Sequence, residues 1–372
     1  MKKYLIILAT MLLISCEKTI TEYIDLANWT IDKRVQTNSQ YILNSKIYEN
    51  SLHFYASNIR GYLDINSDNS ELWIYNSTFY ENTKNHMNYE YSIGTTEEKD
   101  GIIVYSKDVS TSHLLYDNNG AYWYKLIPSF LDSTFTSNAR ILCAHNQQEN
   151  ITSNGNDQFM FIFDHWSGSN EEKKGTFACL VTISVHPIFG QTFDYAYTVD
   201  NFKIVKISNY AESISSIYYY NQNYYCSLGA NYIIDTEGNI SNSSINYICT
   251  TYFEYNDKLW TISDHHFWNT EDGITWDETP YTLSMYLCFF EFEGKLCGYR
   301  FSTLYEIDLD NVEVYYLDVS GLDYHTITSI NFSDSKVYLS TLGGMYYRNK
   351  SDFFKDKSTS VQRGEQIELK KK

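Results

Sequence analysis

Three prolines and 17 glycines in 372 residues are few, so most turns must come from Asn, Asp and Ser, whose side chains bond their own backbone. Basic charge is scarce too: 28 Lys and Arg face 46 Asp and Glu, for a net charge of −18. The one basic cluster is Lys370-Lys371-Lys372 at the C-terminus. Such a body repels nucleic acid, heparin-like polymers and anionic lipid surfaces at long range. Neutral glycans, cations and other proteins remain as partners. No stretch beyond the N-terminal segment approaches the ~18 uninterrupted apolar residues of a membrane-spanning helix. No window keeps an apolar stripe at helical period, which argues against a helical fold.

Aromatic residues are in excess: 36 Tyr, 20 Phe and 7 Trp. With β-branched residues they form short alternating runs between Asn, Asp, Ser and Gly, the pattern of antiparallel strands. Four stretches share one grammar of aromatic strand, tight polar turn and second strand: "SIYYYNQNYYCSL" from Ser216, "TYFEYNDKLWTIS" from Thr251, "CFFEFEGKLCGYR" from Cys288 and "SINFSDSKVYLST" from Ser329. Their turns begin at Asn221, Asn256, Glu293 and Ser333, in steps of 35, 37 and 40 residues.

Units of about 40 residues with three or four strands predict an all-β chain folded as a β-propeller. Seven blades fit best, with six or eight as alternatives. The blades read as 46–97, 98–139, 140–208 (with an inserted hairpin), 213–248, 252–285, 287–325 and 327–356. "YIDLANWTI" near residue 25 is expected to pair into the last blade, because an open ring exposes strand edges. The propeller then spans 25–356, and 357–372, "KSTSVQRGEQIELKKK", reads as a polar tail.

At the N-terminus Lys2 and Lys3 precede the apolar run Tyr4 to Leu13, followed by Ile14-Ser15-Cys16 and polar Glu17-Lys18-Thr19. The run is about ten residues, too short to cross ~30 Å of hydrocarbon. The segment resembles a bacterial lipoprotein signal, which makes 1–15 the signal and 16–24 a tether. The resemblance implies that Cys16 carries the lipid and begins the mature chain; loss of Lys2 and Lys3 then takes the net charge from −18 to −20. The chain is similar to envelope lipoproteins of Bacteroidota-type bacteria. That implies a monomer on the outer membrane, touching it only through its lipid. Six cysteines remain: Cys143, Cys179, Cys226, Cys249, Cys288 and Cys297. If Glu293-Gly294 is a two-residue turn, Cys288 and Cys297 are diagonal neighbours roughly 7–8 Å apart, beyond bridging distance. The cysteines read as buried free thiols.

"NTEDGITW", Asn269 to Trp276, resembles the Asp-box of sialidase-type repeats, Ser-x-Asp-x-Gly-x-Thr-Trp; the repeats are also similar to kelch-like units. Gly273, Thr275 and Trp276 match, Asn269 stands at the Ser and Glu271 at the Asp. In that family the box is a structural turn at the blade edge, remote from catalysis. The residues agree, because the slot recurs as Asn119-Gly120 and Glu237-Gly238 with changing side chains. Sialidase chemistry needs an arginine triad, and the six arginines include no Phe/Tyr-Arg-Ile-Pro signature.

"SDHHFW", with His265 and His266, has metal-ligand residue types. "DINSDNSE" from Asp64 alternates Asp and Asn like a calcium loop, without Gly at the sixth position or Glu at the twelfth. Both read as solvated turns, and no metal or cofactor is expected. Forty-six acidic residues single out no catalytic pair, so none is assigned. Aromatic faces are the remaining candidates: Trp166 with His165 in "FDHWSGSNEEKKG", and Trp268 beside His265 and His266. The reading is a lipid-anchored propeller that binds a glycan or a protein without catalysis. The alternatives are a carbohydrate-active enzyme, glycosidase or lyase, and a scaffold of an outer-membrane complex.

Overall fold

The computed structural model describes residues 28–36, 41–48, 50–56, 59–66, 73–76, 86–87, 91–95, 102–106, 140–142, 151–155, 157–166, 172, 174–187, 195–359 and 366–371. Within them consecutive hairpins build seven antiparallel sheets. Blade four is Ser216–Tyr220, Asn223–Ser227, Asn231–Asp235 and Ile240–Asn242, paired in chain order. Blade five is Cys249–Tyr255, Lys258–Ser263, His266–Thr270 and Asp277–Leu283, and blade six is Cys288–Phe292, Lys295–Arg300, Thr303–Asp308 and Glu313–Leu317. Their first turns sit where the sequence puts them. Asn221-Gln222, Asn256-Asp257 and Glu293-Gly294 all have positive φ, as two-residue turns that match strand twist require.

First strands of successive sheets touch one another from blade two to blade six. Phe292 of blade six stacks on Phe332 of blade seven at 4.1 Å, and the first strand of blade seven, Ile327–Phe332, touches that of blade one, Ile42–Tyr48. First strands are therefore innermost, and the described sheets form a seven-bladed ring.

Two seams close it. Thr30–Ile31 pairs antiparallel with Gly344–Asn349 as the fourth strand of blade seven, the expected closure. Trp29 is buried beside it; its indole N–H donates to Asp318 O at 3.0 Å and its backbone N–H to Ser320 O at 2.9 Å. Gly321 permits this approach, with φ +94 and space so tight that a Cβ would stand 2.3 Å from Trp29 O. Between the inner strands, Ser45 Oγ lies 2.9 Å from Ser329 Oγ and 2.5 Å from Ser340 Oγ, and accepts from Asn331 Nδ2 at 2.7 Å.

Three expected features differ in the structure. A break at residue 98 would split a sheet, because Tyr91–Thr95 pairs with Ile102–Ser106. Blade one instead begins at Ile42 and its fourth strand is Trp73–Asn76. Residues 140–208 do form one sheet, but its extra length is an elongation of its own strands Gly175–Pro187 and Tyr195–Ser208, with a register shift at Thr182/Ile183. The C-terminal segment is not a free tail. Leu369–Lys371 adds a fifth strand to blade five, Ser358 bridges Tyr316 of blade six, and Ile367 and Leu369 are buried in the core those blades share. The alternation Ile367-Glu368-Leu369-Lys370 is a strand pattern within a polar segment.

Cys288 faces Tyr299 and Phe290 faces Cys297, the expected register. Both thiols are free, as are buried Cys179, Cys226 and Cys249. Burial raises the Cys179, Cys226, Cys249 and Cys297 thiols above their ordinary value, so none is a ready thiolate. Cys16, Cys143 and the signal and tether segments lie outside the described residues. No described helix is long and apolar enough to cross a membrane.

Candidate functional site

Strand direction alternates across a blade, so the link into each innermost strand and the turn between second and third strands lie at the same end of the ring. We call that end the entry face and the opposite end the exit face. Of eleven exposed large hydrophobic side chains among the described residues, Phe202, Ile240 and Ile274 lie elsewhere and the other eight stand in entry-face loops. Exposed apolar side chains gathered on one surface mark recognition sites.

Tyrosine dominates that surface. Every blade junction whose link is described up to the next innermost strand supplies one: Tyr41, Tyr210, Tyr247, Tyr286 and Tyr324. Tyr41, Tyr210, Tyr247 and Tyr324 are 51%, 74%, 62% and 67% exposed, and half-buried Tyr286 stacks on His265 at 5.6 Å. Links into blades two and three lie outside the described residues. Between second and third strands stand Trp166, Phe301 and Leu342, also exposed.

The loops are held from below. Buried Asn231 donates to Ile245 O at 3.1 Å and Tyr247 O at 2.6 Å, and accepts from Cys249 N at 2.9 Å and Ser227 Oγ at 2.7 Å. Ser263 Oγ donates to Tyr247 O at 2.7 Å, and Thr176 Oγ1 to Tyr210 O at 2.8 Å. Pre-organised loops lose less entropy when they bind.

The expected site residues part company here. Trp166 is exposed on the entry face, but His165 before it is buried. His265 occupies a two-residue turn with φ +68 on the same face, its Nδ1 3.1 Å from Leu283 O. His266 turns into the blade, its Nδ1 2.9 Å from Glu278 Oε1. Trp268 packs on the core between blades four and five. His165, His266 and Trp268 are thus placed by packing, and the pair His265-His266 points two ways.

The Asp-box-like stretch lies on the exit face as a turn. Gly273 has φ +78, and buried Trp276 meets Tyr225 edge-on at 6.2 Å. The side chains that make the turn are one residue beyond the aligned ones. Asp272 Oδ1 accepts from Ile274 N at 2.7 Å, Thr275 N at 2.8 Å and Thr270 Oγ1 at 2.9 Å, and Thr270 Oγ1 accepts from Gly273 N at 2.9 Å. Asn269 pairs within the sheet, and Glu271 reaches out to Lys258 at 2.7 Å. Tyr225 Oη of blade four donates to Gly273 O at 3.0 Å, so the turn also fastens two blades.

The donors on Asp272, led by the Thr275 and Ile274 N–H groups, hold its carboxyl well below the usual 3.8. The Asn311 N–H and amide lower Asp308 in blade six. Asp235 in blade four is lowered although desolvation opposes it, through the amide and N–H of Asn239. Depressed carboxyls stabilise the fold above their unfolded value and lose that contribution as pH falls through the folded one. Urea midpoints should therefore fall below pH about 3.8, and Asp272→Asn should flatten that fall. An unchanged slope in the variant would contradict the assignment.

No family model and no curated protein matches the sequence. Among solved structures, virginiamycin B lyase from Staphylococcus aureus is similar at TM-score 0.53 and 10% identity, over 85% of this chain and 97% of that one. Its catalytically inactive form with quinupristin gives TM-score 0.51 and 9% identity, over 84% and 96%. BamB from Moraxella catarrhalis gives 0.42 and 11%, over 83% and 85%. At these identities the likeness to the lyase shows the fold alone, and with the ring of seven sheets it makes this chain a β-propeller.

Proposed function

We propose that the chain is a lipid-anchored protein of the bacterial cell envelope, on the outer membrane, that recognises a glycan or a protein with its entry face and without catalysis. The gathering of exposed tyrosines and other large apolar side chains on that one face carries the reading. Tyr and Trp are enriched at interfaces and among the few residues that carry most of the binding energy there. Loops fixed by Asn231 and Ser263 suit such a surface.

Screening glycan and peptide arrays, followed by calorimetry, tests the face. Trp166→Ala and Tyr247→Ala should each weaken the ligand found by about 1–3 kcal/mol with little change in Tm. Ile274→Ala, exposed on the exit face, should leave affinity unchanged. Equal affinity in all three variants would remove the entry face from consideration, and turnover of a bound glycan would replace recognition by catalysis.

Support for the anchor is the lipoprotein-type signal, residues 1–15, that precedes Cys16. Cys16→Ser should move the protein from the detergent phase to the aqueous phase with an unchanged Tm. A variant still found with the membrane would refute the anchor.

A further inference from the structure

We infer that the occupant of the entry face is a protein surface rich in Lys and Arg, an inference that rests on reading that face as the binding site. Size is the first argument. The tyrosines come from five blade junctions, a spread suited to a protein interface of about 800 Å² per partner rather than to one sugar ring. Chemistry is the second. Ile248 and Leu342 are exposed among the rings; sugars stack on aromatic faces, whereas aliphatic side chains fill the apolar centre of protein interfaces.

The loops "SSINYI" and "DVSGLDYHT" set Tyr among Ser, Asn and Gly. Antibody loops use that mixture to recognise proteins, with rigid rings as anchors and small polar residues as adaptable contacts. Charge then selects the partner. Glu212, Asp264 and Asp323 stand in three different entry-face loops, on a chain of net charge −18. Acidic surfaces steer basic partners to themselves, and tyrosine faces hold ammonium and guanidinium groups. The chain already uses that contact internally, with Lys357 Nζ 4.1 Å from the Tyr315 ring centroid and Lys336 Nζ 4.6 Å from that of Tyr347.

The test is selection from a displayed library of random dodecapeptides on the full chain in detergent, alongside a neutral oligosaccharide array. Enriched peptides should carry net positive charge. Their affinity should fall about tenfold or more in Tyr247→Ala and Tyr324→Ala and hold in Ile274→Ala. Enrichment of neutral or acidic peptides overturns the charge assignment, even where the tyrosine variants lose them. No enriched peptide, with oligosaccharides bound and lost in the tyrosine variants, overturns the protein partner and leaves the entry face as the site. Basic peptides whose affinity ignores both tyrosine substitutions overturn the inference and the entry-face reading together.

Discussion

Trp29→Ala is expected to lower the free energy of unfolding by about 3–5 kcal/mol, the usual cost of removing a buried tryptophan. The cost is high because the side chain sits where the ring shuts. Its indole donates to Asp318 O, Phe353 meets it edge-on at 6.3 Å, and the guanidinium of buried Arg348 lies 6.0 Å from its ring centroid. Loss of the side chain leaves Thr30–Ile31, a two-residue pairing, to hold the outer edge of blade seven. Urea denaturation reads the effect. A variant with wild-type stability would mean that the inner seam through Ser45, Ser329 and Ser340 closes the ring unaided.

Gly273→Val should cost about 2–6 kcal/mol, from strain at positive φ and from overpacking together. A Cβ there would stand 2.0 Å from Tyr225 Oη, and buried Tyr225 has little room to retreat against Trp276 and Tyr252. Gly294→Ala supplies the control. Its φ is +73 and nothing lies within 4 Å of the added atom, so it should show backbone strain alone. Ligand affinity should not change with Gly273, which lies on the exit face. Equal losses for the two variants would mean that the turn does not lock blade four to blade five.

The ring was legible because its local signals agree. Asn221-Gln222, Asn256-Asp257 and Glu293-Gly294 each specify a tight turn, and the aromatic runs beside them fit strands of five to seven residues. Signals weaken before residue 140, where turn chemistry alone does not mark sheet boundaries, and a break placed at 98 fell inside a hairpin. The C-terminal strand was hidden by composition: two buried apolar residues, Ile367 and Leu369, do not stand out among lysines and glutamates. Alignment on Gly273 and Trp276 put Asn269 and Glu271 in the turn, whereas hydrogen-bond geometry selects Thr270 and Asp272. The acid must sit where one oxygen reaches the N–H groups of both Ile274 and Thr275.

The candidate site was the least legible. Trp166 stands out because tryptophan is rare and its loop is polar. The tyrosines do not, because there are 36 of them and described ones such as Tyr55, Tyr224, Tyr225, Tyr252 and Tyr338 are buried in blade packing. Position is what separates them: Tyr41, Tyr210, Tyr247, Tyr286 and Tyr324 lie within six residues before an innermost strand. That regularity is visible once the repeats are aligned on their first strands. Residue type alone instead drew attention to Trp268 and His266, which the blade cores claim.

Hydrogen exchange of the full chain with the tightest-binding peptide or oligosaccharide tests the central claim most directly, since it reads the occupied face without a mutation. Binding at the entry face predicts slowed exchange in residues 209–213, 243–248, 284–287 and 318–326, with the exit-face turns at 221–222, 256–257, 271–275 and 293–294 unchanged. Protection confined to those exit-face turns would contradict it.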